Sequence, residues 1–260
     1  KIQHVSRFLG PHALPVGELL DARPDTATWL RLRGNYHHSE WDDTYAGLAT
    51  LHLPLYTSRV SLRLHMVGYE YFEQNRTAID FRNQKDPSLT GNAVGSLNIA
   101  TLITLWEESE KSPAVQGIIN LRTASGGNLE QARFIDAPGY TIKVAAGKSW
   151  NLPGKLLESL RAYGQAGLRV YQTRRSNFFQ NDLFVHGVGL QLDGKHWRLR
   201  QELVGYVGYF DRGDKPVVYR LALETLWDSP WQLGIEGQSG NIDYPFRSVG
   251  LDLKYHFPTK

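Results

Sequence analysis

The side chains with the clearest chemical potential in this sequence are basic residues that alternate with apolar ones. Arg198 and Arg200, for example, flank Leu199, and the same spacing recurs in other segments. Successive side chains of an extended strand point to opposite faces, so such a pair presents both cations on one face. Cationic groups on a low-dielectric wall attract anions. The chemistry to expect is therefore electrostatic binding of an anion.

Strands of this kind can close into a barrel. Sorting the chain by the alternation gives the residues that would face the interior of such a barrel, the lumen. We predict that the lumen, including any solute-binding surface, is formed by Arg31, Arg33, Arg63, Arg122, Lys143, Arg161, Arg169, Arg198, Arg200, Glu202, Arg220, Glu224 and Lys254. Glu236 and Asp252 share this polar phase. Eleven basic against four acidic residues leave an excess of seven positive charges, whereas the whole chain carries +3. The positive charge is thus predicted to be internal.

Twelve segments alternate in this way and predict an all-β chain. The last is the clearest, because Val249 and Leu251 occupy one face and Asp252 the other. The segments are residues 30–36, 45–55, 60–66, 97–105, 115–122, 140–150, 160–171, 183–192, 197–209, 217–227, 231–237 and 249–257. The orientation of the eighth stays open, since one phase turns His186 to lipid and the other Gln191.

The connections between these segments alternate in length. The two longest, residues 72–95 and 123–139, follow odd-numbered strands, whereas even-numbered strands are followed by short turns. Outer-membrane barrels show this asymmetry, with long loops outside and short periplasmic turns. Several strands also approach the roughly 9 to 11 residues needed to cross a membrane, which exceeds the usual length of soluble strands. We therefore predict a transmembrane antiparallel up-and-down β-barrel of about 12 strands; a soluble β-sandwich is the alternative.

Composition is compatible with this barrel. The 260 residues are 41% hydrophobic, with a mean hydropathy of -0.39, and no segment approaches the roughly 18 apolar residues of a spanning helix. A barrel needs no such segment, because only alternate residues of each strand face lipid. The chain has no cysteine, which excludes disulfides and cysteine metal sites.

The first 25 residues do not alternate. They contain Gly10, Pro11, Pro15 and Pro24, which predicts a non-strand segment over residues 1–25, followed by the barrel over residues 26–260. We expect this segment to plug the lumen or to lie in the periplasm. It lacks the apolar core of a signal peptide, so we also expect a mature chain.

The final strand resembles the C-terminal assembly signal of Gram-negative outer-membrane proteins. Phe257 closes the alternating strand and Tyr255 lies two positions earlier, as in that signal, although Pro258, Thr259 and Lys260 follow here. The resemblance implies location in the bacterial outer membrane. It also implies contact with outer-membrane lipid and lipopolysaccharide, and recognition of this strand by the barrel-assembly machinery.

Some outer-membrane barrels are lipid-modifying enzymes, and a His-x-Ser arrangement resembles that of the outer-membrane phospholipase and of a lipid A deacylase family. It occurs here as His4-Val5-Ser6 and as His37-His38-Ser39. The first lies in the non-alternating segment, and the second places His37 and Ser39 on the face opposite to lipid. We therefore expect no enzyme, and we predict no metal site, cofactor or nucleic-acid partner.

The sequence thus favours an outer-membrane channel or facilitator for small polar solutes, and anionic ones in particular. By architecture the chain resembles the small acidic-oligosaccharide channels of the outer membrane. An alternative is that the basic residues form ion pairs that fill a closed barrel. Such a structural or adhesion barrel would bind partners through the loops at residues 72–95 and 123–139.

Overall fold

A computed structural model of the chain describes residues 5–55, 59–154, 156–175, 178–209 and 213–258. Its strands are β1 (Trp29–His38), β2 (Asp42–Pro54), β3 (Val60–Gln74), β4 (Thr90–Ala93), β5 (Asn98–Trp106), β6 (Ala114–Arg122), β7 (Gly139–Asn151), β8 (Ser159–Arg175), β9 (Phe178–Asp193), β10 (Trp197–Val207), β11 (Val217–Thr225), β12 (Trp231–Ile242) and β13 (Arg247–His256). One α-helix, α1 (Arg76–Arg82), and two 3₁₀ turns, Ser6–Phe8 and Leu129–Gln131, complete these regions. No helix within them is long and apolar enough to cross a membrane.

Twelve of the thirteen strands in the described regions close into one antiparallel barrel. Each pairs with its neighbours in chain order, β1 pairs with β13, and the short β4 extends only the outer end of β3. The seam is continuous, since Trp29 lies opposite His256 and His38 opposite Arg247. This confirms the predicted all-β barrel of about 12 strands.

The alternation of polar and apolar residues in the sequence matches the alternation of inward-facing and outward-facing side chains in the barrel wall. In β13, Leu251 is 63% exposed on the outer surface, whereas Gly250 and Asp252 face the interior. A ring of apolar residues on the outside of a closed barrel with a polar interior is the arrangement of a membrane-spanning barrel. Contact with lipid removes this apolar surface from water, so it is not unfavourable on the outside of a barrel in a membrane.

Three predicted strands prove to be longer than the sequence indicated. Most of the gap between the predicted strands at residues 160–171 and 183–192 is itself strand, because β8 continues to Arg175 and β9 begins at Phe178; residues 176 and 177 lie outside the described regions. Likewise β12 runs to Ile242, past the predicted end at residue 237. These strand ends extend past the roughly 9 to 11 residues that cross the bilayer, so their outer faces need not be apolar and the alternation is lost.

The orientation of β9 is explained by packing inside the barrel. Leu183 and Val185 face the interior and are almost fully buried, and Gln191 also points inward, which leaves His186 on the outer face. Both faces of this strand are largely apolar because its inner face packs on another part of the chain. Leu19 fills the space over Gly187 and Gly189.

Residues 5–28, which we call the lumen segment, run through the interior of the barrel. Its apolar side chains pack against inward-facing residues of β8 to β11 in one buried cluster. The cluster joins Leu9, Leu14, Val16 and Leu19 of the segment to Tyr163, Leu183, Val185, Val204, Tyr206 and Val218 of the wall. The segment is thus placed asymmetrically, against one side of the barrel. Residues 1–4 lie outside the described regions.

The glycines under Leu19 give a test of this packing. A Cβ atom at position 189 would lie 2.5 Å from Cζ of Tyr163 and 2.9 Å from Cδ2 of Leu19. We therefore expect Gly189→Val to lower the free energy of unfolding by about 1 to 3 kcal/mol, the usual cost of overpacking. Guanidinium unfolding of the detergent-folded protein, followed by tryptophan fluorescence, measures this.

The matched control is Gly47→Val on the outer surface, where no atom lies within 4 Å of an added Cβ. It should leave the free energy of unfolding close to that of the parent chain. Equal stability of the two variants would contradict the packing of Leu19 on β9.

Candidate functional site

The lumen segment connects the two ends of the barrel. Near its start, Phe8 stacks on Phe81 of α1 with ring centroids 4.7 Å apart, and Gly10 N–H donates to Ala132 O at 2.8 Å. Both partners belong to the long connections between strands. The segment ends where β1 begins, at the end that carries the short turns. It therefore passes through the whole depth of the barrel without regular secondary structure beyond its first turn.

Basic side chains of the wall hold this segment by its main chain. Within the described part of the protein, the bonds run from Arg122 Nη1 to Ala13 O (2.7 Å), Arg169 Nη1 to Pro15 O (3.0 Å), Arg220 Nη2 to Val16 O (2.7 Å), Arg220 Nη1 to Gly17 O (2.9 Å), Lys143 Nζ to Glu18 O (2.9 Å) and Arg161 Nη2 to Asp21 O (2.7 Å). A buried carbonyl without a donor is costly, and this irregular chain has few main-chain donors nearby. The wall cations supply the missing donors.

Other wall cations pair with carboxylates. Glu18 of the lumen segment accepts from Arg63 at 2.8 Å and from Arg31 at 3.4 Å. Two guanidinium groups beside one carboxylate favour its charged form. Glu18 is therefore ionised and neutralises part of the positive wall.

Other ion pairs lie within the wall or join it to a turn. Arg33 is bonded to Asp252 at 2.5 Å and to Glu236 at 2.9 Å, Arg198 to Asp193 at 2.8 Å, and Arg161 to Glu108 at 2.5 Å. Arg200 pairs with Glu224 and lies 3.5 Å from Glu202. Lys254 instead sits over the ring of Trp29, 4.4 Å from its centroid.

A cavity of about 300 Å³ remains beside the lumen segment. It divides the residues that were predicted to line the lumen. Those that border it are Arg31, Arg33, Arg63, Arg122, Lys143, Arg169, Arg200, Glu202 and Arg220. Arg161, Arg198, Glu224 and Lys254 do not border it. Around the cavity, eight basic residues therefore face three carboxylates, those of Glu18, Glu202 and Glu236.

A buried ionic network closes the loop end of the barrel. Arg133, which is 0% exposed, donates to Glu70 Oε1 at 2.7 Å and to Thr44 Oγ1 at 2.6 Å, and it also contacts Asp42. Burial lowers the pKa of Arg133, but the charges of Glu70 and Asp42 outweigh it and raise that pKa. Arg82 of α1 donates to the same Asp42 at 2.6 Å. The two long connections are thus fixed to the wall.

A chain of hydrogen bonds links this network to the lumen segment. Glu70 Oε2 lies 2.8 Å from Nδ1 of His12, whose Nε2 lies 3.1 Å from Nε2 of His37, and Nδ1 of His37 lies 2.6 Å from Ser248 Oγ. With Glu70 ionised and both rings neutral, one assignment satisfies every bond. His12 donates to Glu70, His37 donates to His12, and Ser248 donates to His37. His12 belongs to the lumen segment, so this chain holds its outer half to the wall.

Neither this chain of hydrogen bonds nor the ionic network of Arg133 was predicted from the sequence. Glu70 lies beyond an irregularity between β2 and β3 at Gly47 and Leu48, which shifts the phase of the upper part of β3 and turns Glu70 inward. Arg133 lies in a loop, where no periodicity marks it. The inward phase of His37 was the available signal, since it follows from the alternation of β1.

In the second His-x-Ser arrangement, the histidine and the serine are each bonded to other groups. His37 is bonded to Ser248, whereas Ser39 Oγ donates to Asp42 O at 3.2 Å. His4 of the other pair lies outside the described regions. No cluster of metal-ligating side chains occurs in the regions that the structure describes.

The fold is similar to those of solved bacterial outer-membrane proteins. The COG4313 outer membrane channel from Pseudomonas putida F1 matches with a TM-score of 0.62 at 11% identity, over 90% of this chain and 96% of that chain. The KdgM porin matches with a TM-score of 0.51 at 10% identity, over 88% and 99%. The translocator domain of the autotransporter NalP from Neisseria meningitidis matches with 0.51 at 10% identity, over 90% and 89%.

No family model and no curated protein matches the sequence. At these identities the structural likeness concerns the fold alone. This chain has the fold of bacterial outer-membrane β-barrels, in agreement with the outer-membrane location predicted from its sequence.

The bonds from wall cations to the lumen segment can be tested with a thiol reporter, because the chain has no cysteine of its own. Ala13 is fully buried, so Ala13→Cys is labelled by a maleimide only when the segment leaves the wall. Adding Arg122→Met removes the donor to this residue. A hydrogen bond to a charged group contributes about 1.5 to 3 kcal/mol, so we expect labelling to accelerate about tenfold or more.

The matched control is Arg198→Met in the same Ala13→Cys background, since Arg198 is bonded to Asp193 of the wall. It should leave the labelling rate near that of Ala13→Cys alone. Equal acceleration by both changes would contradict the role assigned to Arg122.

The bonded chain through His12 and His37 gives a second test in the same assay. His12→Leu removes the bonds of this residue to Glu70 and to His37, and a hydrogen bond to a charged group contributes about 1.5 to 3 kcal/mol. We therefore expect labelling of Ala13→Cys, normalised to Ser88→Cys on an exposed loop, to accelerate about tenfold or more.

His12→Gln should label nearly as slowly as Ala13→Cys alone, because its amide can accept from His37 and donate to Glu70. His38→Gln is the control, since His38 is exposed and pairs with Asp43. Equal acceleration by His12→Leu and by His38→Gln would show that this bonded chain does not hold the segment.

Proposed function

We propose that this protein is an outer-membrane channel or facilitator for small anionic solutes, whose path runs beside the lumen segment. The observation that carries the proposal is the pairing of Arg122, Lys143 and Arg169. Their partners are main-chain carbonyl and neutral side-chain oxygens, and within the described regions none has a carboxylate within 4.0 Å. Their charges are thus held in place without being neutralised, and all three border the cavity.

Electrostatics then favours an anion over a cation of similar size. Fixed charges on the low-dielectric wall of a narrow space focus the field and raise the local concentration of counter-ions. Of the carboxylates that border the cavity, Glu18 and Glu236 are already paired with arginines, and Glu202 lies beside Arg200. The net field in the cavity is therefore positive.

The comparisons support the channel part of this proposal through the fold. The KdgM porin in complex with disordered oligogalacturonate matches this chain with a TM-score of 0.52 at 10% identity, over 88% of this chain and 99% of that one. That ligand belongs to KdgM. For this chain, the charge around the cavity supports an anionic solute.

The proposed surroundings follow from the outer surface. We propose that the apolar belt contacts outer-membrane lipid and lipopolysaccharide, and that β13, with Tyr255 and Phe257 at its close, is the strand read by the barrel-assembly machinery. Thr259 and Lys260, which follow that strand, lie outside the described regions.

Planar-bilayer recording tests the proposal. In a KCl gradient, the purified protein should give stable conductance steps with a reversal potential on the chloride side. Lys143→Glu reverses a charge at the cavity and should lower the chloride-to-potassium permeability ratio severalfold. Arg198→Glu makes the same change in charge away from the cavity and should alter the ratio far less.

Two results would contradict the proposal. Cation selectivity of the parent protein would exclude an anion path. A silent bilayer from folded protein would instead favour a closed barrel that binds partners through its loops.

A further inference from the structure

The cavity beside the lumen segment is bordered by apolar as well as cationic side chains. Leu48 of β2, Ala100 of β5 and Leu20 of the lumen segment border it and remain partly exposed. Ile118 of β6 borders it as well, within a small apolar cluster that includes Leu102. Lumen positions of water-filled barrels are polar as a rule. An apolar surface on this side is therefore unexpected for a path that admits only hydrated ions.

The strand register places a cation directly beside each of the apolar wall residues. Leu48 lies opposite Arg33, and Ala100 lies opposite Arg63. Ile118 lies opposite Lys143. Side chains that face each other across neighbouring antiparallel strands have Cβ atoms about 5 Å apart. The wall thus repeats one pattern, an apolar residue beside a basic one, on three pairs of strands. Arg33 and Arg63 are paired with carboxylates, whereas the bonds of Lys143 go to neutral oxygens.

We propose that this cavity binds small carboxylates that carry an apolar body, in preference to fully hydrated anions such as sugar acids. The carboxylate would lie against Arg122, Lys143 and Arg169, which are bonded to neutral oxygens, and the apolar body would cover Leu48 and Ala100. A volume of about 300 Å³ is at the lower end of ligand pockets, which restricts the ligand to about the size of a single ring. The inference rests on the proposed anion path and specifies its substrate class.

A rigid ligand of this kind loses little conformational freedom on binding, so shape and charge decide its affinity. Benzoate is a suitable probe, since it combines a carboxylate with one apolar ring. Gluconate keeps the charge without the apolar surface. Benzamide keeps the ring without the charge.

Isothermal titration of the folded full chain in detergent, with each probe in turn, tests the inference. We expect benzoate to bind about tenfold or more tightly than either gluconate or benzamide, a difference that burial of a small apolar group or of one charge can supply. Leu48→Asn, which removes apolar surface without changing charge, should weaken benzoate binding about tenfold or more. Leu48→Met is the matched control and should retain binding. Titration of the Asn variant in the same detergent also corrects for partition of benzoate into micelles.

The outcomes separate this inference from the proposed function. Equal affinity for benzoate and gluconate, with anion selectivity intact, would overturn the substrate class and leave the anion path standing. Benzamide binding as tightly as benzoate would show that the cations do not select the ligand, and would count against both. Absence of benzoate binding by folded, anion-selective protein would overturn the inference alone.

Discussion

The structure depends on one constraint, which is that a chain without regular secondary structure lies at membrane depth inside the barrel. Each carbonyl oxygen of such a chain needs a donor, because neither lipid nor a helix or sheet supplies one. Guanidinium groups suit this task, since each presents five N–H donors in a fixed plane. Arg122 and Arg220 each reach two carbonyls. The basic wall and the lumen segment are therefore parts of one arrangement.

The apolar interior follows from the same constraint. The segment buries Leu9, Leu14 and Leu19 against β8 to β11. Gly187 and Gly189 of β9 have no side chains, which leaves room for Leu19. The segment does not fill the barrel, and the space beside it is bordered by residues from most of the strands.

The inward-facing and outward-facing residues of most strands were predicted from the sequence, because they follow from the alternation. The faces of β6, β10, β11 and β13 are those read from the order of their residues, because one face meets lipid and the other a polar interior. β9 was ambiguous for a physical reason, since its inner face packs on Leu19 and is apolar too. Glu70 was missed because an irregularity in the β2–β3 pairing reverses the phase of its strand. The position of the lumen segment depends on contacts with strands from β1 to β11, and no local pattern records such contacts.

The sequence allowed two interpretations of the wall cations. They could form ion pairs that fill a closed barrel, or they could line a charged path for a solute. The geometry shows that these apply to different residues. Arg33 and Arg198 are bonded to carboxylates, so their charges are cancelled locally. Arg122, Lys143 and Arg169 are bonded to dipoles, which fix their positions without removing their charge. A carbonyl partner therefore lets a residue hold the lumen segment and keep a positive field in the cavity at the same time, and the structural role of these cations is what makes an electrostatic role available.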